Sequence, residues 1–319
     1  MYLRKLLLVI ALCLTPIAAF ADLSVHILNV GYGNCVIVQC DGESAIIDGG
    51  SPEYSDVVFS VSEELGIDTY KYMFATVPAD EHVGGLPAVF RVADVQAMYV
   101  PEIDAGNDRH RLLVETANEY STPIIVPSDR TELPLGSGEI VILRPCMGSE
   151  DASDDCLVLL LKYGSTQILF CSDAGTSVED RLKNYHDYNL FLVDIVMVGR
   201  HGSEDATSRE FISYVHPQYA IVSCSESPDE SVIEILHNVP TRMVRTNHNG
   251  NITITADLHD FSIISDEYYI GNENSNIVHR PSCDSAEKIK DGYRIIFFSA
   301  EEAERRYYRP CKKCTPWEP

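Results

Sequence analysis

The sequence predicts an α/β protein: a four-layer αββα sandwich, with helices outside two facing sheets, followed by a small α+β module of different composition. Two observations carry this. Strand-like and helix-like segments mix on both sides of a Pro134-Leu135-Gly136-Ser137-Gly138 turn, and such halves bury their apolar faces as two sheets packed together under helices. The charge then breaks near residue 266: residues 22–265 carry a net charge of −25, whereas residues 266–319 carry −1. The expected units are therefore a leader over 1–21, a large domain over 22–265 and a module over 266–319. A 319-residue chain that is 45% hydrophobic with a net charge of −24 is neither disordered nor collagen-like. Its acidity argues against a broad nucleic-acid-binding surface, which needs Lys and Arg to displace counterions.

Taken in order, Arg4 and Lys5 precede an apolar run from Leu6 to Ala18, and Ala19-Phe20-Ala21 supplies small residues at −3 and −1. These are the three regions of a signal peptide, and the run is short for a membrane span. The expected mature chain is secreted or extracytoplasmic, with no stable span after cleavage; a buried N-terminal strand or an anchor is the alternative. Residues 25–30, 35–40 and 44–48 read as strands joined through Gly31-Tyr32-Gly33-Asn34 and an Asp41-Gly42 hairpin. Helices over 54–65, 84–91 and 109–120 alternate with extended segments at 72–76, 97–100 and 124–126. The second half gives strands at 139–143, 157–163, 167–171, 192–198, 218–223, 242–245 and 251–264, with helices at 176–186, 206–215 and 229–237. Cys35 and Cys40 point to opposite faces of one strand, so they cannot pair. Buried free thiols are the expected state of most cysteines in this domain.

Three stretches are similar to the metallo-β-lactamase fold, specifically the hydrolase-like domain of the ComEC family of DNA-uptake proteins. Val25 to Asn34, ending at Ile47-Asp48-Gly49-Gly50, resembles the family's "DVGQGD…IDGG". Ala75-Thr76-Val77-Pro78-Ala79-Asp80-Glu81-His82-Val83-Gly84-Gly85-Leu86 matches the frame of "THPDADHIGGL", and Val198-Gly199-Arg200-His201-Gly202-Ser203 matches "VGHHGS" after Phe170-Cys171-Ser172-Asp173. In the family the HxHxDH loop supplies metal ligands, and the metal activates water. Here the first two ligand positions are Val77 and Ala79, neither with a lone pair to donate. Glu81 replaces the Asp, and His82 is intact. Asp173 stands where the bridging carboxylate would, and Arg200, which cannot coordinate a cation, replaces the first His of the later pair.

The resemblance therefore leaves Glu81, His82, Asp173 and His201 as candidate catalytic ligands for one metal, and makes a second metal in the large domain doubtful. Three readings of the pocket stay open. It is a non-catalytic relic, an anion- or protein-binding pseudoenzyme in which Arg200 replaces the metal's charge, or a single-metal hydrolase of the phosphodiesterase or nuclease type. Asp48 would orient ligand histidines in an active relative or simply cap a turn. Ser203 lies near His201 without a nucleophile elbow around it.

In the C-terminal module the spacing His279-x3-Cys283-x27-Cys311-x2-Cys314 places two close pairs around one supersecondary unit, as a closed tetrahedral Zn²⁺ site requires. A module of this size has too small a core to fold easily unaided, and metal binding would supply folding energy. The stretch resembles the zinc-binding domain of the Ada repair proteins ("CRPSC" and "FRPCKRC"). The Cys that accepts the methyl group there is His279 here, so the resemblance implies structural zinc and not alkyl repair. A disulfide between two of the three cysteines, or a metal-free module, is the alternative. Arg305, Arg306, Arg309, Lys312 and Lys313 form the basic cluster of the chain; a phosphate-backbone contact with nucleic acid and a plain solvated face are its two readings.

Overall fold

The computed structural model describes residues 23–101, 107–147, 154–184, 190 and 192–317. The leader expected over residues 1–21 lies outside these residues, as does most of the acidic segment 150–155.

Among the described residues two large sheets form. One has eight strands in the order Phe261–Ser265, Ile252–Ala256, Leu23–Ile27, Val36–Cys40, Glu43–Ile47, Tyr72–Phe74, Met98–Tyr99 and Ile124–Ile125. The other has seven, in the order Arg242–Arg245, Tyr219–Val222, Ile195–Met197, Thr166–Phe170, Val158–Tyr163, Gly138–Leu143 and Thr131–Leu135. Strands joined by hairpins pair antiparallel and those joined through helices pair parallel, which follows from the length of the connections.

Side-chain alternation sorts the layers. Val25, Ile27, Val36, Val38, Ile140, Ile142, Leu159 and Leu161 meet between the sheets. Their neighbours Ile37 and Ile46 face Val58 and Leu113 of the first helical layer, while Val141 and Leu160 face Phe211 and Leu236 of the second. Cys40 lies in the inter-sheet core and Cys35 in the first outer layer, the opposite faces expected from their spacing. All nine described cysteines are free.

Local differences have local causes. The single strand expected over 251–264 is a hairpin, because Asp257 accepts from the amides of His259 and Asp260 and turns the chain. The helix expected over 84–91 is the short helix Leu86–Val89, and another short helix, Asp80–Val83, precedes it across Gly84-Gly85. A Cβ on Gly85 would sit 2.1 Å from the carbonyl oxygen of Gly49, so the two glycine pairs allow backbone to pack on backbone. The strand Thr131–Leu135 was not expected; Pro134 masks it, and the strand lies at a sheet edge, where proline is tolerated.

The tail forms its own four-stranded sheet, Arg294–Phe297, Tyr269–Asn272, Ile277–His279 and Arg309–Pro310. It is nonetheless joined to the large unit. Phe298 is 2% exposed within the inter-sheet core. Arg242 stacks between Tyr219 and Phe298 at 5.0 and 5.1 Å and bonds to Glu302 Oε1 and the Ile296 carbonyl. Asn249 donates to the Phe298 carbonyl at 2.8 Å. No described helix is long and apolar enough to cross a membrane.

Candidate functional site

Three strand ends of the large unit converge. Asp48 follows Glu43–Ile47 and takes a left-handed φ of 56°, which aims its carboxylate at the next loop. One oxygen accepts from the Thr76 amide at 2.8 Å and the other from Thr76 Oγ1 at 2.7 Å. The same second oxygen lies 2.8 Å from His82 Nδ1. His82 is fully buried, and its Nε2 lies 3.1 Å from Asp173 Oδ1. Both ring nitrogens thus face carboxylates. Burial alone would push the His82 pKa down, but Asp48 and Asp173 lift it well above the ordinary value. Burial pushes the Asp173 carboxyl up; His82, His201 and Arg200 outweigh that and hold it low.

The third strand end carries Arg200 and His201, at left-handed φ values of 47° and 54°. With Asp48 and Ser172 (φ 53°), four strained non-glycine residues gather at one place, as functional sites tend to show. His201 Nδ1 donates to the Ser223 carbonyl at 3.0 Å. Its Nε2 is buried without a hydrogen-bond partner and faces Asp173 Oδ1 at 4.0 Å. Burial and the nearby His82 charge pull its pKa down to about 4. Tyr32 packs on the His201 ring at 4.3 Å and forms one lip of a groove of about 330 Å³, with Ser203, Cys224, Glu226 and Asp229 along the other wall.

His82, Asp173 and His201 each present one atom within 4.8 Å of the others, a donor set that suits one divalent ion. Two expectations need correction. Glu81 is not in this cluster, because it neighbours His82 on the same helical turn, about 100° round it. Arg200 is not available to an anion: its Nε donates to the Asp173 carbonyl at 2.9 Å, and its guanidinium pairs with Asp205 and Asp154. Val77 is 5% exposed and packs into the second outer core, with Ala79 against it. The Thr76–Ser172 hydroxyl pair and the Ser223 carbonyl, which fix these residues, were not foreseen; hydroxyls within apolar, strand-like runs were their only trace.

The second cluster lies in the tail. His279, Cys283, Cys311 and Cys314 present ligand atoms within 4.8 Å of one another, and His279 Nδ1 lies 3.6 Å from Cys283 Sγ. Ligands of a tetrahedral zinc sit roughly 3.5–4 Å apart given zinc–ligand bonds near 2.0–2.3 Å, so these residues fit that ion. Backbone amides of Arg280 and Lys313 donate to Cys314 Sγ and Cys311 Sγ at 3.4 Å each, the outer-shell support that thiolate ligands use. All four ligands foreseen in the sequence come together.

A family model described as the metallo-beta-lactamase superfamily matches residues 28–226, and one described as the metal binding domain of Ada matches residues 259–316. Among curated proteins the chain is similar to ComE operon protein 3 of Bacillus subtilis, 23% identical over 72% of this chain and 32% of that protein. It is also similar to Recombination protein 2 of Haemophilus influenzae, 24% identical over 77% of this chain and 31% of that protein. The chain spans about a third of the length of these relatives. Among solved structures, the metallo-beta-lactamase fold protein YhfI of Bacillus subtilis aligns at 12% identity over 69% of this chain and 95% of that one, with a TM-score of 0.46. The first family match covers more than half of the chain and includes His82, Asp173 and His201, and the chain therefore belongs to the metallo-beta-lactamase superfamily, ComEC-like in its large unit and Ada-like in its tail.

Proposed function

We propose that this is an exported accessory protein whose large unit, residues 22–265, binds a partner rather than hydrolysing one, and whose tail, residues 266–319, is held by a structural zinc. One observation carries the binding reading. His82 has both ring nitrogens committed to Asp48 and Asp173, while the positions that would complete a two-metal centre are the apolar Val77 and Ala79. A buried imidazole with a carboxylate at each ring nitrogen is satisfied without a metal, and a metal would have to displace the hydrogen bond to Asp173. The ComEC-type relatives support a role in DNA uptake, and the exposed Arg305, Arg306, Arg309, Lys312 and Lys313 supply the cationic contact such a role needs.

Metal analysis of the purified full-length chain tests this. One zinc per chain is expected, and a second equivalent bound at the pocket would overturn the reading.

A second reading is a single-metal hydrolase, favoured by the unpartnered Nε2 of His201 beside Asp173. When bound, the metal would supply Lewis acidity and an activated water, with His82, Asp173 and His201 as its holders. It requires metal-dependent phosphodiesterase activity that is lost in both His82→Ala and Asp173→Ala.

A further inference from the structure

The seam between the large unit and the tail carries a chain of buried hydrogen bonds that ends at the pocket. Asn249 is 2% exposed, and both ends of its side-chain amide are used. The NH₂ donates to the carbonyls of Glu267 and Phe298, at 2.9 and 2.8 Å. The oxygen accepts from the Arg245 amide at 3.0 Å. Asn249 closes the one-turn helix Thr246–Asn249, so its two bonds to tail carbonyls hold that helix in place.

The other end of this helix holds the groove beside His201. Thr246 is fully buried; its Oγ1 accepts from the Cys224 amide at 3.0 Å and donates to the Cys224 carbonyl at 3.3 Å. Asn247 Oδ1 accepts from Cys224 Sγ at 3.5 Å. Arg245 reaches the same wall, donating to Ser227 Oγ at 3.3 Å. Cys224 and Ser227 both line the groove, and Ser223, the residue before Cys224, presents the carbonyl that receives His201 Nδ1. One wall of the pocket is thus pinned by a helix that the tail pins in turn.

The tail can do this only while it is folded. Phe298 directly follows the strand Arg294–Phe297, which pairs with Tyr269–Asn272. That strand pairs with Ile277–His279, which ends on one ligand of the Cys/His cluster and pairs with Arg309–Pro310, which leads into another, Cys311. The apolar cluster under this sheet is Ile270, Cys283, Ala286, Ile289 and Cys311, so two of its five buried members are themselves ligands. A core this small depends on the metal that joins them.

We propose that zinc in the tail is a switch on the pocket, with Asn249 as the joint. With zinc bound, Phe298 is seated and the Cys224 wall is closed. With zinc removed, Phe298 withdraws and Asn249 loses an acceptor. A buried donor without an acceptor is costly, and opening of the helix Thr246–Asn249 to water relieves it, which frees the wall at Cys224. Binding at the groove becomes conditional on zinc through this coupling, in either direction. The inference rests on the reading of the tail as zinc-bound.

The test is thiol labelling of the full-length chain with iodoacetamide, read residue by residue by mass spectrometry, with metal content measured on the same samples. Cys35, in the first outer layer, controls for global opening. Stripping zinc with a chelator should speed Cys224 labelling about tenfold or more, the scale of leaving one buried donor unsatisfied, while Cys35 stays slow. Asn249→Ala touches no ligand; it should keep its zinc yet label Cys224 at the fast rate with or without the metal. Thr246→Val should do the same from the other side of the joint, and decides the matter if the first variant fails to fold. Cys224 labelling that is unchanged when zinc leaves, or that rises only in step with Cys35, overturns the switch. So does a zinc response that persists in both variants. A purified chain that holds no zinc overturns the structural-zinc reading and the switch with it.

Discussion

The chain contains two clusters of metal-ligating side chains of nearly the same compactness, and they differ in what satisfies them. In the tail, three thiols and one imidazole face a common centre, backed by amide donors to sulfur. No carboxylate belongs to the set. In the large unit, His82 is held between Asp48 and Asp173, and only His201 retains an unpartnered nitrogen. Compactness alone therefore does not make a metal site. Ligands already paired with one another have a stable alternative to the metal, whereas thiols gathered in a small tail with a small core do not.

The largest expected effect separates the clusters directly. Cys311→Ser should remove the zinc and, with it, on the order of 10 kcal/mol of binding free energy that holds the tail folded. The single tryptophan of the sequence, Trp317, packs on Tyr269, so its emission should shift to the red. His82→Ala should leave both metal content and emission unchanged. If His82→Ala lowers the zinc content, the contrast is broken.

Next in size, Phe298→Ala should cost about 4 kcal/mol in urea unfolding, the range for emptying a large buried aromatic site. This tests whether the tail completes the large unit's core. A loss below about 1 kcal/mol would make the tail an independent appendage. Asp48→Asn leaves His82 without one of its two carboxylates and should cost about 3 kcal/mol. The same change should leave the tail's zinc in place, which metal analysis of the variant would check.

Acid and alkali sharpen the contrast between the two pocket histidines. The His82 pKa is raised on folding, so its contribution is fully present below about 6.5 and lost as pH rises through the folded value. The His201 pKa is lowered to about 4; its contribution is present above about 6.5 and lost as pH falls toward that lower value. Unfolding free energy of the zinc-loaded chain should therefore fall on both sides of a maximum. His201→Gln should flatten the acid limb, whereas His82→Gln should flatten both limbs, because the His82 charge also holds down the Asp173 and His201 values. The smallest effect is a control. Breaking the half-exposed Lys162–Glu139 pair with Lys162→Ala should change stability by less than about 1 kcal/mol.

Much of the architecture was legible because it rests on local pattern. Alternation placed Cys35 and Cys40 in different layers, and ligand spacing brought His279, Cys283, Cys311 and Cys314 together. The site was legible only by type. His82, Asp173 and His201 do meet, but Glu81 does not join them, because a one-residue step along a helix turns a side chain away. The partners that decide the pocket's chemistry are non-local: the Asp48 carboxylate on His82, the Ser223 carbonyl on His201, and the Asp205 and Asp154 carboxylates on Arg200. Residues far apart in sequence give no spacing signal for such bonds. The charge break near residue 266 likewise marked a compositionally separate module. Charge reports on surfaces, and so missed Phe298, which lies in the other unit's core, and Ile296, which packs against it.

That reach orders events during biosynthesis. A chain growing from its N-terminus can form both large sheets once residue 265 has been made, but a place between them stays unfilled until Phe298 arrives. Domains generally fold as they emerge, so the large unit passes through a stage with its core open and apolar surface available to chaperones. Chains truncated before Phe298, or trimmed there by proteases, should be selectively cleared even with every pocket residue intact. A chain ending before Phe298 thus lacks part of the large unit's core whatever the tail binds.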